Sequence, residues 1–204
     1  MAMTLLPGAA LAAPKARAAD LDEDGLAVLS AGPMKAYVDE SFPRVVHYVL
    51  QNETVVDGQT EALDTLKLNG VAVKPVVTSE KASDGKSITY VLTVSEEAGN
   101  TVGKAMVDKL DAEGNPVKDE DDKVIQEEKD VDTKLNVAIT ARITVGDDGD
   151  NTLAFYIDSV DYLKNDRMEN PLESIEIPNH SLVSLYTDGS DQSVAVTGGT
   201  NINT

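Results

Sequence analysis

The two histidines are the side chains best suited to chemistry in this sequence of 204 residues. His47 lies in the apolar segment 45–49, which predicts a strand, and His180 lies at a predicted turn before a strand over 182–186. Two histidines with a carboxylate could transfer protons at the anomeric carbon of a sugar, and both are our candidates for sugar contact. The alternative is an ordinary sheet histidine and a histidine that caps a turn. Nothing in their spacing brings them together.

A second candidate site is the acidic segment that contains Asp147, Asp148 and Asp150. Carboxylate oxygens crowded around a glycine are ligands that calcium favours, but no glutamate closes a twelve-residue calcium loop. The same residue types are typical of a hairpin turn. The sequence therefore leaves calcium and plain turn chemistry as alternatives, and it predicts no other cofactor.

Composition excludes several classes of site and partner. The chain has no cysteine, which removes disulfides, thiolate nucleophiles and zinc–thiolate sites. Its net charge of −19 opposes binding to nucleic acid and to anionic membrane surfaces. No segment predicts membrane insertion. Aromatic residues make up only 4% of the chain, which argues against a sugar-stacking face. A pair of catalytic carboxylates cannot be selected from 36 acidic residues.

The first twenty residues resemble an export signal rather than part of a fold. Residues 5–13 form a short apolar run, and Ala-Arg-Ala at 16–18 matches the small-residue pattern that precedes signal-peptidase cleavage. We predict a signal-peptide remnant over 1–20, a single β domain over 21–204, and a secreted or cell-surface location. The alternative is a disordered, Ala-rich leader without a targeting role.

Alternation of apolar and polar residues predicts that the positions of these side chains are set by β strands. The pattern is clearest over 135–145, and it recurs over 88–94 and 153–157. Side chains that alternate in this way give a strand one buried and one solvated face. No helical periodicity, internal repeat or interdomain linker is evident. The predicted fold class is all-β, an antiparallel β-sandwich.

Turn residues separate the predicted strands. Asn69-Gly70 predicts a tight hairpin because both central residues need positive φ. Further turns are expected at 111–116 and 147–151. The densely charged segment 118–132 departs from the alternation, and we interpret it as a solvated excursion, either a long hairpin tip or a mobile loop.

Four segments of the sequence are distinctive: YVDESFPRV at 37–45, LDTLKLNGV at 63–71, NPLESIEIPNHSLVS at 170–184 and GGTNINT at 198–204. Together they resemble the galactose-mutarotase-like domain of bacterial endo-α-N-acetylgalactosaminidases. The resemblance implies a β-supersandwich. It also implies that further strands follow Thr204, so we predict a domain that is incomplete at its C-terminus.

The resemblance also implies a function for the protein as a whole. Such enzymes are secreted or wall-attached, and they release Gal-β1,3-GalNAc from mucin-type glycoproteins. Their catalytic carboxylates lie in a (β/α)₈ barrel after the supersandwich, so no catalytic residue carries over to this chain. We therefore expect a non-catalytic domain whose partners are that barrel and the O-glycosylated substrate. The alternative is a carbohydrate-binding or adhesin module for host glycans.

Overall fold

A computed structural model describes residues 25–49, 55–146, 152–177 and 202–203. Every regular element in these ranges is a β strand, and no helix there is long and apolar enough to cross a membrane. The strands are β1 Leu26–Ala31, β2 Met34–Asp39, β3 Val45–Val49, β4 Val55–Asp57, β5 Leu66–Leu68, β6 Val71–Val73, β7 Val76–Lys81, β8 Ser87–Val94, β9 Val102–Asp108, β10 Gln126–Asp132, β11 Val137–Val145, β12 Leu153–Tyr162, β13 Ser174–Glu176 and β14 Ile202–Asn203.

These strands form three antiparallel sheets. The first sheet has the order β1-β2-β3-β4, the second β10-β9-β6-β5-β13-β14, and the third β12-β11-β8-β7. Two of the pairings contain a register shift, one between Tyr37 and Val38 in β2 and one between Thr140 and Ala141 in β11. The predicted all-β antiparallel class is confirmed.

The core lies between the sheets and follows the predicted alternation. Along β8 and β11, buried residues alternate with partly exposed ones, so that Leu92 and Ile139, which pair across the strands, both point inward. One apolar cluster joins all three sheets, with Leu29 from the first and Leu68 from the second. Each such aliphatic side chain contributes roughly 1.5–3 kcal/mol by its burial. The sandwich is therefore a single packed unit over the described residues.

The Asn69-Gly70 hairpin is confirmed. These two residues join β5 to β6, and their φ angles are +49° and +82°. Positive φ at both central positions matches the twist of the flanking strands, and glycine adopts it without a steric penalty. Leu68 and Val71 on either side pair directly, so the turn has two residues.

The charged segment 118–132 lies in a long hairpin, which we call the arm (residues 102–132). Its first residues are at the tip of the hairpin, and residues 126–132 form β10. Strands β9 and β10 pair from Val102 opposite Asp132 to Asp108 opposite Gln126. The arm leaves the second sheet where Ala72 of β6 pairs with Lys104 of β9. The alternative interpretation of 118–132 was a mobile loop. It does not fit the structure, because residues 126–132 form the strand β10, which pairs with β9.

Two similar turns fill the tip of the arm, eight residues apart. In the first, the Asp111 carboxylate accepts hydrogen bonds from the backbone N–H groups of Glu113 and Asn115. In the second, the Asp119 carboxylate accepts from Asp121 and Lys123 in the same way. The turn at 111–116 was predicted. The similar turn at 119–123 was not, because it shares with the first only the aspartate and the spacing of its hydrogen bonds, and it lacks the glycine and proline that mark the first turn in the sequence.

Candidate functional site

A buried polar cluster surrounds the connection between β2 and β3. Asp39 ends β2, and Arg44 directly precedes β3. The Arg44 Nε donates to Asp39 Oδ2 at 2.7 Å, and the other Asp39 oxygen accepts from the Ser41 backbone N–H and hydroxyl at 2.7 and 2.6 Å. From β8, the Tyr90 hydroxyl donates to the Asp39 carbonyl at 2.6 Å. The cluster thus ties the first sheet to the third.

Arg44 also reaches a third segment of the chain. Its Nη1 atom donates to the carbonyl oxygens of Gln59, Thr60 and Glu61 at 2.8, 3.0 and 3.0 Å. Arg44 is 9% exposed and Asp39 is 7% exposed. A buried ion pair is tolerated when hydrogen bonds satisfy its remaining donors and acceptors, as they do here. The guanidinium therefore anchors the segment that follows β4.

The electrostatics of the cluster keep Tyr90 protonated. Burial, helped by the negative charges of Asp39 and Glu40, raises the pKa of the Tyr90 hydroxyl far above its ordinary value. Burial likewise raises the pKa of Tyr48 in β3. The Tyr90 hydroxyl is consequently a permanent donor to the Asp39 carbonyl, and it is not suited to proton transfer near neutral pH.

An open cleft of about 490 Å³ lies beside this cluster, lined by Gly25, Leu26, Asp39, Glu40, Ser41 and Arg44. The charged groups of Asp39 and Arg44 are already bonded to each other and to the backbone. The arrangement consequently favours a structural role for Asp39 and Arg44 rather than binding of a ligand in the cleft.

His47 lies on β3, as predicted, and it has a carboxylate partner. Its Nδ1 atom is 3.0 Å from Asp57 Oδ1 on the neighbouring strand β4, and the two residues are register partners. The His47 side chain is 20% exposed, and that of Asp57 is 51% exposed. A carboxylate at this distance can fix the orientation of an imidazole ring.

The other candidate histidine, His180, lies outside the described residues. On the other side of His47, Tyr37 of β2 is its register partner. Tyr37 and Val49 form a small buried cluster, with Leu26 and Val28 packed against them. The surroundings of His47 within the described ranges are thus largely apolar, apart from Asp57.

The calcium candidates Asp147, Asp148 and Asp150 also lie outside the described residues. The strands on either side meet as a hairpin, since Val145 pairs with Leu153 and the Gly146 N–H donates to the Thr152 carbonyl. Over the ranges that the structure describes, no group of three or more acidic or histidine side chains could hold a metal ion.

A polar group that sequence reasoning missed lies on the outer face of the third sheet. Arg142 of β11 makes two hydrogen bonds to Asp158 of β12, at 2.8 and 3.2 Å, and its guanidinium lies 4.7 Å from the centre of the Tyr156 ring. Hydrogen bonding from Arg142 lowers the pKa of Asp158. The alternation predicted that Arg142 lies on the polar face of its strand. Its pairing with Tyr156 could not be predicted, because it depends on the register of β11 against β12 and on the bulge between Thr140 and Ala141.

Comparison with known proteins agrees with this architecture. A family model for the galactose mutarotase-like fold domain matches residues 29–133, just over half of the chain. The chain belongs to this family. No curated protein matches it.

The match to the galactose mutarotase-like fold domain runs from β1 to the residue after β10. It contains the Asp39–Arg44 cluster, His47, Asp57 and the whole arm. It also contains two of the four segments that carried the resemblance in sequence, 37–45 and 63–71, while 170–184 and 198–204 lie outside it. The family assignment from sequence is confirmed at the level of the fold. A fold family does not by itself fix an activity.

Proposed function

We propose that this chain is a non-catalytic β-sandwich domain of a secreted or cell-surface bacterial glycosidase of the endo-α-N-acetylgalactosaminidase type. In this proposal the domain braces a (β/α)₈ catalytic barrel of the same protein, which acts on mucin-type O-glycans. A galactose mutarotase-like fold domain is compatible with a carbohydrate-related accessory role. The four resembling segments, two of which lie beyond the family match, support the particular enzyme class.

The observation that carries the proposal is the internal use of the polar cluster. Among the described residues of the family match, the most buried charged groups are Asp39 and Arg44, and both are bonded to their own chain. Catalysis of glycoside hydrolysis needs two carboxyl groups that face a substrate across a fixed gap. A cluster of this kind holds strands together instead, which is what a bracing domain requires.

The test compares this chain alone with the protein encoded by the full reading frame that contains it. Release of Gal-β1,3-GalNAc from a core-1 glycopeptide is expected from the longer protein and not from the chain alone. A matched variant, Arg44→Met in the longer protein, is expected to lower thermal stability while the turnover of the folded enzyme is retained. Disaccharide release by the chain alone would contradict the proposal, as would a reading frame without a catalytic domain.

A second candidate function, a carbohydrate-binding or adhesin module, is favoured by one specific observation. Tyr156 is 36% exposed, and Arg142 and Asp158 are held beside it by their mutual hydrogen bonds. An exposed ring next to fixed polar groups is an arrangement that can contact a sugar.

Calorimetric titration with galactose and Gal-β1,3-GalNAc tests the second candidate. If the module binds sugar at this face, heat of binding will be lost in Tyr156→Ala and kept in Met168→Ala, a control residue that is 94% exposed. Absence of heat with the unmodified chain would remove the candidate and leave the bracing role untouched.

A further inference from the structure

Asn69 occupies the one Asn–Gly pair in the sequence. In such a pair the glycine has no side chain to hinder approach of its backbone nitrogen to the asparagine side-chain carbonyl. The reaction that follows converts asparagine to aspartate or isoaspartate. Asn69 thus combines a susceptible sequence with a tight turn, in which both residues have positive φ.

The folded chain restrains the Asn69 side chain on both of its polar atoms. Its Nδ2 donates to the carbonyl of Pro171 at 2.8 Å, and its Oδ1 accepts from the backbone N–H groups of Glu173 and Ser174 at 2.7 and 3.1 Å. The Asn69 backbone N–H donates to the Ser174 carbonyl at 3.1 Å. The side chain therefore clamps the β5–β6 hairpin to the segment that leads into β13.

We propose that Asn69 is a deamidation site whose reactivity is gated by docking of residues 171–174. In the reaction, the Gly70 nitrogen attacks Asn69 Cγ and loses its proton, and the side-chain amide leaves as ammonia to give a cyclic imide. Water then opens the ring at either carbonyl. The net change consumes one water and releases one ammonia, and no electrons are transferred. While the clamp is closed, the hydrogen bonds on Oδ1 and Nδ2 hold Cγ away from this attack.

Deamidation would weaken the clamp that had prevented it. An aspartate at position 69 keeps its acceptor for Glu173 and Ser174, but an oxygen replaces the donor that faces the Pro171 carbonyl. Two oxygens without a proton between them repel each other. An isoaspartate also adds a carbon to the main chain of a two-residue turn, which disturbs its geometry. Either product therefore weakens the attachment of β13 to β5.

The first experiment measures the rate of deamidation at Asn69 in the folded chain and in the chain unfolded in urea, by peptide mass mapping in mildly alkaline buffer. Asn115 is an internal reference, since the proline that follows it has no N–H to attack. We expect the folded rate to be lower by about tenfold or more, because only locally opened molecules react. Folded and unfolded rates within about twofold of each other would overturn the proposal.

A pair of matched variants isolates the clamp from general stability. Ile175→Val loosens β13, where Ile175 is buried and pairs with Leu68. Ile143→Val makes the same change in β11 of the third sheet, at a residue that is also buried. With both variants folded by circular dichroism, Asn69 should deamidate several times faster in Ile175→Val alone. Equal acceleration in the two variants would contradict gating by residues 171–174.

Discussion

The third sheet and the arm are stabilised by different kinds of interaction. Strands β8 and β11 bury every second side chain in a core shared by three sheets. Along β9 and β10 most residues are exposed, and neighbouring charges pair across or along the strands, as in Lys104–Asp130 and Lys129–Glu127. Exposed ion pairs of this kind add little to stability because solvent screens their charges. The stability of the arm therefore depends more on the geometry of its turns than the stability of the core does.

The comparison predicts that the largest loss of stability follows from damage to the buried polar cluster. Arg44→Met leaves the Asp39 carboxylate buried without its cation and removes three hydrogen bonds to the segment 59–61. The free energy of unfolding should fall by about 3–5 kcal/mol. Urea denaturation measures this, with the partly exposed Arg142→Met as control. A loss from Arg44→Met no greater than that of the control would contradict a structural role for the cluster.

The junction between the arm and the second sheet gives the next effect. A Cβ atom on Gly103 would lie 2.0 Å from the carbonyl oxygen of Ala72 and 2.7 Å from a methyl group of Val73. Gly103→Ala should therefore push β9 away from β6 and cost about 1–3 kcal/mol. Lys104→Ala, at the adjacent exposed position, is the control and should change the urea midpoint little. Equal midpoints for the two variants would show that the close approach is not required.

Removing one hydroxyl from the core should produce a loss near 1–2 kcal/mol. Tyr90→Phe leaves the Asp39 carbonyl without the donor that lies 2.6 Å away in a buried setting. Thermal unfolding of this variant, compared with Tyr156→Phe on the outer face, provides the measurement. If both variants unfold at the same temperature, the hydrogen bond of Tyr90 contributes nothing measurable.

The smallest effect is confined to the arm. The pKa of the fully exposed Asp111 carboxyl is lowered, chiefly by the hydrogen bond that it accepts from the backbone N–H of Asn115. Its stabilising effect is therefore present above the ordinary aspartate pKa of about 3.9 and is lost as the pH falls through the lowered value. Titration followed by NMR should show Asp111 losing its proton below the ordinary value. In Asp111→Ala, amide exchange should accelerate at Gly114 and Asn115 with the overall melting temperature unchanged. A titration at or above the ordinary value would be inconsistent with the turn as described.

Alternation and turn chemistry predicted most of the core, because both act locally. The strands around Ile139 and Leu92 and the hairpin at Asn69-Gly70 follow from period-two burial and from positive φ. Their grouping into three sheets does not, since it depends on pairing between distant strands. The arm was recognised only as a charged excursion, because β10 has little apolar alternation to mark it as a strand.

The candidate site was less predictable for the same reason. His47 was correctly placed on a strand, but its partner Asp57 depends on the register of β3 against β4. Arg44 is of a residue type that is rarely buried, and only the three carbonyl groups and the carboxylate around it make its burial acceptable. Sequence patterns report the burial of apolar residues far better than the burial of charged ones.

The position of β10 at one end of the six-stranded sheet has a consequence for self-association. Five of its seven residues are charged, four of them negatively, and they stand where another strand would have to add. A second molecule approaching edge to edge would meet like charges and would have to strip water from them. The charges of β10 therefore protect the sheet from growing into an aggregate at this border.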